Sequence, residues 1–157
     1  FLYDKNTSST FTDLLEIDIL EYKKVLEKDK IFLSTFQGRS MFPMLRQGVD
    51  SIVIEPLKGE PKPMDVLLYR NHGKYILHRL IRNLGDHYLI LGDNRITTED
   101  VNKTNVIGRL SYFFRGDKEI HLNHPFYQLY VLLYCRPWRI RIFMKKVYSK
   151  IRKTWKG

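Results

Sequence analysis

The sequence predicts a mainly β protein: a coiled, mostly antiparallel β-domain with a helix before it and helices after it. Three observations predict this. Short β-like runs follow one another from Ile31 to Leu122, separated by turn residues. Helical spacing of apolar residues is confined to the two ends of the chain. Aromatic residues make up 13% of the chain, with ten Tyr and nine Phe, a composition that suits pleated surfaces.

In the N-terminal segment, Ser8, Ser9, Thr10 or Thr12 can cap a helix running to about Lys28. Leu14, Leu15, Ile17, Leu20, Val25 and Leu26 roughly follow its apolar face. The β-like runs are IFLSTF, GRSMFPML, SIVIEP, DVLLYR, KYILHRLIR, HYLIL, NVIGRLSYFF and KEIHL. Gln47-Gly48, Lys58-Gly59-Glu60-Pro61, Asn71-His72-Gly73, Gly85-Asp86 and Gly116-Asp117 punctuate them. After Pro125 two short helices are predicted, over residues 126–134 and 137–155, with Pro137 as the hinge. The organisation is thus a helical segment over 1–30, a β-rich domain over 31–123 and a basic, aromatic helical tail over 124–157.

Charge divides the same way. The net charge is +10, but Arg136, Arg139, Arg141, Lys145, Lys146, Lys150, Arg152, Lys153 and Lys156 fall in the last 22 residues without a single acid. The remainder of the chain is close to neutral, so basicity belongs to the tail. Aromatic and aliphatic residues interleave with those cations, a pattern suited to an anionic membrane surface or a protein partner. No base-reading motif accompanies them, and nucleic acid is not an expected partner. No apolar run reaches the roughly 18 residues a spanning helix needs, and no secretory signal pattern opens the chain. A cytoplasmic or peripheral membrane location is expected. The single cysteine, Cys135, allows neither an intramolecular disulfide nor a cysteine-based zinc site, and no metal or cofactor is expected.

Three segments carry residues suited to catalysis. In Gly38-Arg39-Ser40-Met41-Phe42-Pro43, a serine follows a glycine turn and precedes a proline. Such a turn can hold a hydroxyl out of the sheet and expose backbone N–H groups, both of which a serine nucleophile needs. In Tyr75-Ile76-Leu77-His78-Arg79-Leu80-Ile81, His78 interrupts an apolar strand and has the titration range of a general base. Strand alternation sets Ile76, His78 and Leu80 on one face and Leu77, Arg79 and Ile81 on the other, with Arg79 expected in solvent. In Gly92-Asp93-Asn94-Arg95, and in Glu99-Asp100 beyond it, a carboxylate could orient the imidazole; Asp93 and Asp100 are the candidates.

In this order, the segments resemble the serine peptidase clan of type I signal peptidases and self-cleaving repressors. GRSMFPML is similar to that clan's Gly-x-Ser-Met-x-Pro box at Gly38, Ser40, Met41 and Pro43. RQGVDSIVIEP resembles its next box through Gly48 and Asp50. PMDVLLYR keeps Asp65 and Val66 of a Gly-Asp-Val-Val element but has Met64 for glycine, and Gly108 resembles the closing strand's glycine. ILHRLI resembles the histidine-base branch, found in archaeal and endoplasmic-reticulum signal peptidases. The resemblance spans roughly residues 34–112. It implies a signal-peptidase-type β-domain with Ser40 as nucleophile and His78 as base. Counting past Gly-Asp-Asn lands on Glu99 or Asp100, of which Asp100 is favoured as the third member, with Asp93, Gly38 and Arg39 supporting. The implied substrate is a signal peptide, leader peptide or small protein bound as an extended strand, with Phe36, Met41, Phe42 and Ile76 walling the pockets. The alternative is a non-catalytic peptide-binding module that keeps the fold.

Overall fold

The structure is a computed structural model that describes residues 32–35 and 37–154. The predicted N-terminal helix, and Phe36 with it, lie outside the described residues. Among the described residues, eight strands form one sheet: β1 Phe32–Thr35, β2 Asp50–Glu55, β3 Val66–Asn71, β4 Lys74–Asn83, β5 His87–Leu91, β6 Glu99–Asn102, β7 Val106–Arg115 and β8 Lys118–His121. The order is β1-β2-β7-β3-β4-β5-β6, with β8 pairing the C-terminal half of β7, and all pairings are antiparallel. Seven strands lie where the β-like runs predict them, but GRSMFPML forms no strand: residues 38–45 are turns between β1 and β2, opened by Gly38 in the left-handed region. The eighth, β6, falls on a segment that the sequence marks only by its acids.

Register shifts at Val53/Ile54, Leu68/Tyr69 and Leu80/Arg82 interrupt the ladders and bend the long strands. The bent sheet is covered on both faces. One core cluster gathers Met41, Met44, Leu45, Ile54, Val66, Leu68, Leu77, Ile107 and Leu110 with Tyr127, Val131 and Cys135 from the C-terminal segment. The other gathers Leu67, Tyr69, Leu80, Tyr88, Ile90, Val101 and Val106. Alternation along β3 explains the division: Val66 and Leu68 enter the first cluster, Leu67 and Tyr69 the second. Each fully buried Leu or Ile contributes about 1.5–3 kcal/mol.

The C-terminal segment starts as helix α1, Pro125–Tyr130, with Pro125 in its first turn and the His124 ring accepting from the Phe126 amide. It continues through a π-helical turn, Val131–Cys135, into helix α2, Trp138–Thr154. Tyr127, Val131 and Cys135 are four residues apart and form the buried stripe that seats this segment on the sheet. Burial pushes the Cys135 thiol up to about 11.

Gly108 shows how closely β7 packs on β2. A methyl built there would meet the Glu55 carbonyl oxygen at 2.5 Å and Ile54 Cγ2 at 2.8 Å. The obstruction is backbone and cannot swing aside. Gly108→Ala is expected to destabilise the fold by about 1–3 kcal/mol, read as a lower urea midpoint with an unchanged slope.

Candidate active site

Ser40 sits on the turn after β1. Gly38, at φ +99°, takes the left-handed conformation that starts this turn at no steric cost. The Phe42 amide donates to the Arg39 carbonyl at 3.3 Å and the Leu45 amide to the Met41 carbonyl at 3.0 Å, closing it. Met41 and Leu45 anchor the turn in the core at 0% exposure. This overturns the expectation that Met41 walls a substrate pocket: its side chain is used for packing. Phe42 is half exposed beside Ser40, and Arg39 is exposed. Asp50, fully buried, fastens the far end of the loop. It accepts from the Arg46 amide at 2.9 Å, from the Arg46 guanidinium at 2.9 and 3.1 Å, and from Arg115 at 3.3 Å. Burial alone would raise its carboxyl; these donors override that and hold it low.

His78 is buried on the second-cluster face of β4, near Tyr69 of β3. The Tyr69 hydroxyl lies 3.0 Å from His78 Nδ1 and donates to Glu99 Oε2 at 2.8 Å, and Glu99 Oε1 is 3.4 Å from the same Nδ1. A hydroxyl has one proton. Since Tyr69 gives its proton to Glu99, its oxygen accepts from Nδ1–H. The network therefore assigns the proton to Nδ1 and leaves the lone pair on Nε2. That nitrogen is buried and has no hydrogen-bond partner among the described residues, the Ser40 hydroxyl included. Burial holds the imidazole below its ordinary value, the Glu99 carboxylate pulling partly the other way. The Tyr69 hydroxyl is raised by burial and by its bond to Glu99.

Glu99, not Asp100, faces the histidine. On β6, Glu99 is half-buried and Val101 buried, while Asp100 between them is exposed. The two-residue period of a strand turns Asp100 outward, so the expectation that it holds the imidazole is corrected.

Gly92 brings Ser40 and His78 together. A methyl built on it would stand 2.8 Å from the Ser40 carbonyl oxygen and 3.0 Å from Cδ2 of His78. The turn and the ring are thus separated by the width of one absent side chain. The ring atom nearest that gap is bonded to the free Nε2. Asn94 then clamps the turn: its amide donates to the Ser40 carbonyl at 2.7 Å and its side-chain nitrogen to the Arg39 carbonyl at 3.1 Å.

Asp93, between them, points to the opposite side. Arg79 is 1% exposed and Asp93 0%, and they form a two-pronged ion pair at 2.8 and 2.7 Å. The expectation of Arg79 in solvent is corrected: α1 covers that face of β4 and seals it inside. Its remaining donors go to the Met64 carbonyl at 2.8 Å, the Tyr127 hydroxyl at 3.1 Å and Met44 Sδ at 3.2 Å. Tyr130 donates to Asp93 at 2.8 Å. Burial opposes both charges, and each overcomes that for the other: Asp93 stays below the usual carboxylate range and Arg79 well above its ordinary value. Met64 adopts φ +81°, the left-handed region, at the place where the resembled element has glycine.

Gly92 thus sets the turn bearing Gly38, Arg39, Ser40 and Phe42 against His78, while Asp93 of the same loop engages Arg79 on the other side and Ile76 packs against the second cluster. The sequence does not single out Tyr69 or Gly92. Tyr69 lies on a strand preceding the histidine strand, and Gly92 opens the Gly-Asp-Asn run, but neither residue type in isolation signals chemistry. No protein-family model matches the chain, and no curated protein matches it.

Removing half of the buried pair should be costly. Arg79→Met leaves Asp93 charged and unpaired, with an expected loss of about 3–5 kcal/mol; the double variant Arg79→Met/Asp93→Leu should recover a large part of it. Chemical denaturation of the three proteins measures both.

Proposed function

We propose that the chain is a serine endopeptidase resembling signal peptidases of the histidine-base type, its coiled β-domain being of that type. The observation that carries the reading is a buried imidazole with its Nδ1 engaged and its Nε2 free, set beside a serine on a glycine-opened turn. In the reaction, Ser40 Oγ attacks a peptide carbonyl carbon while His78 Nε2 takes the hydroxyl proton. Tyr69 and Glu99 orient the ring and stabilise the imidazolium that forms. The Ser40 backbone N–H faces the developing oxyanion. The imidazolium gives its proton to the leaving amine, and the C–N bond breaks to leave an acyl ester on Ser40. Water, deprotonated by His78, then releases the new carboxylate and restores the serine.

Two further features support this reading. Catalytic hydrogen bonds are often open before substrate arrives, so an unpartnered Nε2 suits a base awaiting its complex. The strand carrying His78 also has room for a substrate: β5 pairs β4 only from Arg79 onward, which among the described residues leaves the edge before His78 available to an added extended peptide.

A fluorophosphonate is expected to label the folded protein at Ser40, with the adduct located by peptide mass spectrometry, and Ser40→Ala should abolish it. Folded protein that stays unlabelled would favour a peptide-binding module without catalysis. The pH dependence separates the two acids. Because burial disfavours imidazolium, His78 keeps its base form to lower pH, and the acid limb of kcat/KM or of labelling should lie below about 6.5. Glu99→Gln removes the anion that favours imidazolium, so the limb should move further toward acid while the rate falls. Asp100→Asn should leave the limb in place.

A further inference from the structure

Helix α2 is turned inside out relative to an ordinary surface helix. Ile140, Phe143, Met144, Val147, Tyr148 and Ile151 follow the spacing of a single helix face, and every one is exposed, from 40% at Val147 to 67% at Phe143 and Tyr148. The side held by the domain is instead basic. Arg141 donates to the Tyr134 carbonyl at 3.1 Å and lies over the Tyr134 ring, and Lys145 donates to Asn94 at 2.9 Å. Such an arrangement leaves the most apolar face of the helix in water.

We infer that this face docks on an anionic lipid bilayer. Charge decides among the possible occupants. Arg139, Arg141, Lys145, Lys146, Lys150, Arg152 and Lys153 flank and back the apolar stripe, and α2 contains no acid. Pairing this face with a second copy would bring two such cation arrays together. An anionic bilayer offers both complements at once, acyl chains for the stripe and headgroup phosphates for the flanks. A cleft of about 240 Å³ lined by Ile96, Lys145, Lys146, Ser149, Lys150 and Lys153 lies beside the stripe, with lysines suited to a phosphate-bearing headgroup. No helix among the described residues is long and apolar enough to cross a bilayer, so the contact is with its surface.

Docking would also place the candidate centre. Asn94 accepts a hydrogen bond from Lys145 on α2 and gives hydrogen bonds to the carbonyls of Ser40 and Arg39, so one residue joins the lipid-facing helix to the serine turn. On the peptidase reading, and only on it, the substrate is then a peptide presented at a membrane surface.

Co-sedimentation of the full chain with vesicles tests the inference without any hydrolysis. Phosphatidylcholine vesicles containing about one third phosphatidylserine should bind at least about tenfold more tightly than phosphatidylcholine alone, and added salt should weaken the binding. Phe143→Asp/Val147→Asp should weaken it by about tenfold or more with an unchanged thermal midpoint, since both side chains are exposed. Lys146→Glu/Lys150→Glu should weaken it as well, and Ser40→Ala should bind like the parent. The inference is overturned if the parent stays in the supernatant with both vesicles, binds both equally, or binds no better than the Phe143/Val147 variant. It is likewise overturned if that variant converts a dimer of the parent to a monomer, which would assign the face to a second copy. Vesicle binding without fluorophosphonate labelling would sink the peptidase reading alone.

Discussion

A guanidinium and a carboxylate sealed from water hold this fold in its working arrangement. Arg79 belongs to β4, and Asp93 to the loop that follows β5. Their pairing fixes that loop against the strand, and the same loop carries Gly92 and Asn94 on either side of Asp93. Two charges in a protein interior gain little net stability over a well-packed apolar pair, but losing one is severe. What the pair gains is register. Its planar, two-pronged geometry admits one placement of the loop on the strand, and the Met64 carbonyl, Tyr127 and Tyr130 complete that placement from the surrounding elements.

Consecutive residues on β4 serve two sides of the sheet. Arg79 enters the core covered by α1, while His78 faces Tyr69 and Glu99. The strand's two-residue period turns the ion pair to the face opposite the imidazole, and burial, the largest influence on that ring, favours its neutral form even though the Glu99 and Asp93 carboxylates pull the other way. The three residues of Gly92-Asp93-Asn94 divide the work among them. Gly92 leaves out bulk between Ser40 and His78, Asp93 makes the ion pair, and Asn94 clamps the serine turn. The run reads like an ordinary turn, and its chemistry emerges only once three elements meet there.

The strands and the serine turn are legible in the sequence because period-two apolar runs and glycine turns are local signals. Other features depend on context that no single segment holds. The strand Glu99–Asn102 has only four residues, and Glu, Asp and Asn are poor strand formers, so local pattern does not reveal it. Without that strand, counting alone cannot separate Glu99 from Asp100; the pleat does so at once. Alternation correctly sets Arg79 on the face opposite His78, yet its burial depends on a helix nearly fifty residues further along the chain. Met64 stands where glycine would be expected and still takes the left-handed backbone, its carbonyl engaged by Arg79. Met41 shows the reverse problem: an apolar residue beside a candidate catalytic serine suits a pocket wall as well as an anchor, and only burial separates the two.

The proposed chemistry stands or falls on the state of one imidazole and its dependence on one serine. The ¹⁵N resonances of the chain's five histidines, recorded before and after reaction with a fluorophosphonate, test it directly. The free protein should show His78 neutral near pH 7 with its proton on Nδ1, and adduct formation at Ser40 should move the His78 signals far more than the other four. A His78 that carries its proton on Nε2, or signals that ignore the adduct, would contradict that chemistry.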